Sequence, residues 1–292
     1  MMRICHLLLL LLVACWSACA RPAEPPMDAL SLADGEDASA WRVWEATIQP
    51  DATHARSGRA LRFHVDVNHE TGEVGHPIGW PRTNTPVAED LRDWTQWDFV
   101  DFWVYADSSR ESLPPAALGF IVRSPNKENS FSVNLEGLRK GEWAHYRFPT
   151  ANLPNPGDCT GVQFFITEAN YAHGDVVDFW IDDLVLLRYA EPTVISADAL
   201  SRLHYADAPV LRVQVELTGL EEGETAEVLT RLVRGNATLC EGSARLGPGL
   251  HTIPLEFSGA PAGAYELQTQ ISGSERVVTA PVRVLSSPWE AQ

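Results

Sequence analysis

Asp182 and Asp183 stand side by side in the run FWIDDLVLL, which otherwise reads as a buried strand. Two adjacent carboxylates invite three readings: acid/base chemistry, a cation site, or a polar strand edge. Successive strand residues point to opposite faces, so the pair cannot share one task. Alternation places Ile181 with Asp183 on one face and Trp180, Asp182 and Leu184 on the other, so at least one carboxylate sits among apolar groups. A buried carboxylate without a partner is costly. A cation, a set of hydrogen-bond donors, or an arginine such as Arg56 or Arg59 must meet it.

The stretch GEVGHPIGWPRTNTP, Gly72 to Pro86, reads as a long ordered connection and brings His76, Trp80 and Arg82 close together. Long connections without secondary structure are commonly functional. An exposed Trp80 would offer its ring to the C–H face of a sugar while charged and amide groups bond the hydroxyls. A buried Trp80 would merely pin the loop. On DFVDFWVY, Trp103 and Tyr105 share a face with Phe99 and Asp101, too aromatic for a plainly solvated surface. Either a layer covers that face or it receives a ligand, with Trp94 and Trp97 as a rim. Glu168, Asn170, Tyr171 and His173 gather in one polar turn, and Asn126, Lys127 and Asn129 in another.

Other chemistry is harder to place. The run of His64, His69, Glu70, Glu73 and His76 matches no zinc-ligand spacing and reads as strand and turn. No zinc-protease, serine-hydrolase or phosphate-loop signature occurs. Paired carboxyl groups for glycoside hydrolysis need a separation that spacing along the chain does not give.

The elements that must position these residues are strands. Leu61, Phe63, Val65 and Val67 alternate with Arg62, His64, Asp66 and Asn68, the signature of a half-buried sheet. The same alternation recurs at Val100-Phe102-Val104, Leu118-Phe120-Val122, Phe131-Val133-Leu135, Ala144-Tyr146-Phe148, Val162-Phe164-Ile166 and Phe179-Ile181. With no intervening helical period, these strands predict an antiparallel sandwich. A boundary falls near Ala190-Glu191-Pro192. Beyond it Leu211 to Leu217, Ala226-Val228, Leu250 to Phe257, Tyr265-Leu267 and Val277 to Val284 read as a second, immunoglobulin-like sandwich. Asn236-Ala237-Thr238 is formally a glycosylation sequon and reads as a turn.

Residues 1–20 read as a secretory signal, with a basic start, an apolar run and small residues before a cut point. Two exits stay open: cleavage after Ala18-Cys19-Ala20, or a lipobox Leu12-Val13-Ala14-Cys15 that would leave Cys15 lipidated for membrane attachment. Residues 21–27, which hold RPAEPP, read as a proline-rich tether. Read as a bacterial signal, residues 1–20 predict a periplasmic, outer-membrane-anchored or extracellular location. Cys159 and Cys240 fall in different predicted domains, which disfavours a structural disulfide. A net charge of −17 argues against nucleic acid or an anionic membrane as partner and favours neutral ligands and cations.

Three stretches carry a family resemblance. HARSGRALRFHV has a small Ser57-Gly58 loop leading into a strand, and FWIDDLVLL has the form aromatic-Ile-Asp-Asp-aliphatic. LSLADGEDASAWRVW is similar to an opening Phe-Glu strand, with Leu32 and Ala33 in its place. Together they resemble jelly-roll carbohydrate-binding modules of the galactose-binding-like superfamily, over residues 28–190. The resemblance implies an all-β chain: an antiparallel jelly-roll β-sandwich at 28–190, followed by the smaller immunoglobulin-like sandwich at 191–292. It also implies a structural calcium, held by Asp34 or Glu36, the Arg59 carbonyl and Asp182; such an ion takes several carboxylate and carbonyl oxygens at once. Non-catalytic glycan binding is the function it implies, through His76, Trp80 and Arg82 with Trp103, Tyr105, Glu168 and Tyr171 around them. Glycoside hydrolase or lyase activity, and a purely structural role, are the alternatives.

Overall fold

The computed structural model describes residues 24–33, 35–70, 78–208, 210–257 and 260–286. Its strands up to the proline at 192 are β1 (Met27–Ala33), β2 (Arg42–Trp44), β3 (Thr47–Asp51), β4 (Ala60–Asp66), β5 (Arg82–Pro86), β6 (Phe99–Ser108), β7 (Gly119–Arg123), β8 (Phe131–Asn134), β9 (Trp143–Pro149), β10 (Gly161–Phe165) and β11 (Val176–Tyr189). They form two antiparallel sheets. The first runs β3-β4-β11-β6-β9, with β1 also on β11; the second runs β2-β5-β10-β7-β8.

The predicted alternation supplies the core between these sheets. Phe63, Phe102, Phe120, Phe164 and Phe179 are fully buried, and Phe102 lies 4.6 Å from Phe120 and 5.2 Å from Phe164 between ring centres. Burying each such ring contributes about 1.5–3 kcal/mol, so this aromatic stack is the main cohesion of the sandwich. Sequence alternation missed β5, where the inward positions are Thr83 and Thr85, both buried. The polar inward side chains hid the period, and the stretch read as loop.

β11 is the spine of the first sheet. Its first half, Val176 to Ile181, pairs with β4, and its second half, Leu184 to Tyr189, pairs with β1. Register against β6 shifts between Asp182 and Val185. Asp183 there adopts φ 52°, the left-handed region. This bulge corrects the simple alternation: Ile181 and Leu184 both enter the core, while Asp182 pairs with Trp103 on the outward row of Trp180 and Tyr105.

Beyond the proline come β12 (Thr193–Ala199), β13 (Leu203–Tyr205), β14 (Val210–Thr218), β15 (Ala226–Arg234), β16 (Ala237–Leu246), β17 (Gly249–Glu256), β18 (Gly263–Ile271) and β19 (Val278–Leu285). They make the sheets β12-β14-β17 and β13-β19-β18-β15-β16. A separate buried cluster including Val213, Val215, Val228, Leu232, Leu255 and Leu267 fills the space between them. β16 escaped the sequence because most of its residues are exposed, and Asn236 lies in the turn before it. The chain is thus all-β, built of β-sandwich layers. Among the described residues no helix is long and apolar enough to cross a membrane.

Candidate functional site

The outward face of the first sheet is partly covered by the chain itself. After β3 the segment around His54 and Arg56 folds back over it. The Arg56 guanidinium sits 3.6 Å from the Trp103 ring centre, and His145 stacks on Trp103 at 4.4 Å. His54 stacks on Tyr105 at 4.1 Å and meets Trp180 edge-on at 4.5 Å. The covering layer expected as one reading of this face is present over Trp103 and Tyr105. Trp103 and Tyr105 spend their ring faces on internal partners.

Asp182 lies beneath this layer, 2% exposed. One carboxylate oxygen accepts the Arg56 amide at 2.7 Å and the other the Asp183 amide at 2.8 Å. Burial raises its pKa, while the amides of Arg56, Asp183 and Ser57 pull the other way. Donors therefore meet the carboxylate. The other expected calcium ligands lie nearby in part. Glu36 stands 4.0 Å from the Arg59 guanidinium, and a Cβ on Gly35 would lie 2.0 Å from the Arg59 carbonyl oxygen. Asp34 lies outside the described residues. Among those residues no group of three or more His, Cys, Asp or Glu side chains is placed to hold a metal ion.

Two residues expected at a ligand surface are buried anchors instead. Glu168 is 2% exposed and accepts the amides of Asn68 at 3.0 Å and Gly79 at 2.9 Å. Tyr171, also buried, donates its hydroxyl to the Ala117 carbonyl at 2.7 Å. Trp94 is fully buried and donates to the Leu91 carbonyl, so it is core rather than rim. Trp97 is half-buried with Arg188 5.5 Å from its ring.

Arg82 opens β5 in the other sheet, across the core from Trp103 and Tyr105, and Trp80 lies two residues before it. The expected residues therefore do not form one site. Glu45, at φ 54°, accepts the Trp80 amide at 2.7 Å and so fixes where β5 begins. The Arg82 guanidinium then lies between two half-buried indoles, 4.8 Å from Trp44 and 4.7 Å from Trp80. Phe165 meets Trp80 edge-on at 5.7 Å. His76 lies outside the described residues.

Register carries this cluster across the whole sheet. One outward row is Trp44, Arg82, Phe165, Gly119 and Asn134; the next is Arg42, Asn84, Gln163, Ile121 and Ser132; Arg123 opposes Gly161 beyond them. A Cβ on Gly119 would come within 2.2 Å of the Phe165 ring, so the glycine lets that ring lie over β7. Gln163 is fully buried, and its carbonyl accepts an Arg123 Nη2 hydrogen bond. Gln163 Nε2 and Arg123 Nε are buried without a hydrogen-bond partner. Burial, reinforced by the charge of Arg82, pulls the Arg123 guanidinium below the usual arginine value. Arg42, Trp44, Asn84, Arg123 and Gln163 were not legible as a site, because their strands had to be aligned first.

No family model matches the chain, and no curated protein matches it. Among solved structures, a β-1,2-glucanase from Parabacteroides distasonis is similar over 90% of this chain and 36% of its own, at 14% identity and TM-score 0.37. A carbohydrate-binding module of family 28, specific for non-crystalline cellulose, matches 56% of this chain and 96% of its own, at 17% identity and TM-score 0.34. A glycosyl hydrolase family 2 member from Bacteroides cellulosilyticus covers 84% of this chain and 36% of its own, at 9% identity and TM-score 0.29. The chain thus spans about a third of the length of the two hydrolases. At TM-scores this low, none of these likenesses bears on what the chain does.

Proposed function

We propose that this is an exported glycan-binding protein whose binding surface is the outward face of β2-β5-β10-β7-β8. The observation that carries the reading is the Trp44-Arg82-Trp80 stack set beside a floor of Asn84, Gln163 and Arg123. Indoles held in place by stacking offer apolar surface at low ordering cost, and fixed amides and guanidinium groups give direction to hydroxyls. Outward positions on this face supply arginines and amides. Glycoside hydrolysis instead needs two facing carboxyl groups.

Within this reading the first sandwich is a galactose-binding-like jelly roll, the second is immunoglobulin-like, and the N-terminal segment directs export. Affinity electrophoresis of the full chain on a panel of polysaccharides tests the function. Trp80→Ala and Trp44→Ala should each abolish most of the retardation, whereas Trp103→Ala should lower thermal stability and leave retardation intact. Equal retardation of wild type and the Trp80→Ala and Trp44→Ala variants would sink the assignment to this face.

A further inference from the structure

The charge on this face is opposite in sign to that of the protein. The whole chain carries −17, yet the outward positions of β2, β5, β10, β7 and β8 are Arg42, Trp44, Arg82, Asn84, Pro86, Gly161, Gln163, Phe165, Gly119, Ile121, Arg123, Ser132 and Asn134. Arginines occur among them and acids do not. Arg82 and Arg123 lie on the strands either side of β10, and the charge of Arg82 disfavours that of Arg123. A fully buried amide whose Nε2 lacks an acceptor lies against Arg123.

Building on the glycan-binding reading, we propose that this face selects sugars bearing an oxyanion, a uronate carboxylate or a sulfate ester, seated on Arg123, with Arg82 and Arg42 adding positive charge farther along the same face. An oxyanion at Arg123 offsets the Arg82 charge that bears on it, and a turn of the Arg123 side chain brings its unpaired Nε to that oxyanion. A guanidinium is suited to the task, because it meets planar oxyanions through two parallel N–H bonds. The sugar rings on either side then lie toward the Trp44-Trp80 end. The sign of the whole molecule sharpens the prediction, because a strongly acidic protein repels polyanions unless a local site overrides its field.

The test uses the full chain with polygalacturonate, its fully methyl-esterified neutral form, dextran sulfate, dextran and hydroxyethylcellulose. Retardation on polygalacturonate but not its methyl ester identifies a carboxylate as the anion, and retardation on dextran sulfate but not dextran identifies a sulfate; either supports the proposal. Arg123→Gln should weaken that binding about tenfold or more, the loss of one charge-assisted contact. Arg42→Gln, at an exposed edge position, should weaken it without touching the fold, and 0.5 M salt should weaken it further. Neutral glycans bound as well as charged ones would overturn the anion selectivity, and anionic binding untouched by both substitutions would overturn its seat on these arginines; glycan binding stands in either case. No retardation on any of the five would overturn both.

Discussion

Cys159 is enclosed at 1% exposure, and its thiol is pushed up to about 12, first by burial and then by Asp158 and Asp93. A thiolate is the reactive form. Native protein should therefore leave Cys159 unlabelled by a disulfide reagent at pH 8, and denaturant should expose it; rapid native labelling at Cys159 would contradict the structure. Asp182 yields a pH signature. Its folded pKa is raised above the unfolded value of about 3.9, so its stability contribution is complete below that value and is lost as pH rises through the folded pKa. Comparing wild type with Asp182→Asn by denaturant melts in the presence of a chelator, the balance should shift toward wild type as pH falls from 7 to 4. A calcium at the Glu36, Arg59 and Asp182 junction is a separate proposal. It predicts that a chelator lowers the melting temperature of wild type but not of Glu36→Gln, and an unchanged wild-type melting temperature would end it.

At the level of elements, the binding face depends on how strands lie against one another. Gly119 makes room for the Phe165 ring, so Gly119→Val should displace it. The expected cost is about 1–3 kcal/mol of stability, as for an overpacked site, together with weaker glycan retardation, both measurable on the purified variant. The Asp182–Asp183 bulge makes a second prediction: Asp183→Val, β-branched at φ 52°, should cost about 1–3 kcal/mol, while Asp183→Asn should be tolerated. Strands with aliphatic or aromatic inward residues, such as β4, β6 and β10, were legible because burial imposes a period of two. β5 was not, since threonine fills its inward positions. Trp80 and Arg82 were selected by residue type, but the sheet separating them from Trp103 was invisible without topology. Arg123 and Gln163 had no local signal at all, for only cross-strand register brings them together.

Across the whole molecule, Asp98 joins the two packed bodies. Its carboxylate accepts the Tyr189 amide at 2.9 Å and the Thr218 hydroxyl at 2.9 Å, linking the end of β11 to the end of β14. Gly219, at φ 73°, passes so near the Glu191 carbonyl oxygen that a Cβ would sit 2.1 Å from it. With two separate cores and this tie, Asp98→Ala should broaden calorimetric unfolding or split it into two transitions, while retardation on glycans stays unchanged. A single transition identical to wild type would show that Asp98 is not the coupling. Charge also reads differently at this scale: the sum of −17 pointed away from anions, but a sum says nothing of how arginines are distributed over one sheet.

β1 has a mechanical consequence. Its residues Met27 to Ala33 run antiparallel along Tyr189 to Leu184, so a tension drawn along the strand from residue 24 loads that ladder lengthwise. The bonds then share the force and must yield together rather than peel one by one. If the chain is tethered upstream and holds a polymer on its binding face, drag on that polymer is borne in shear.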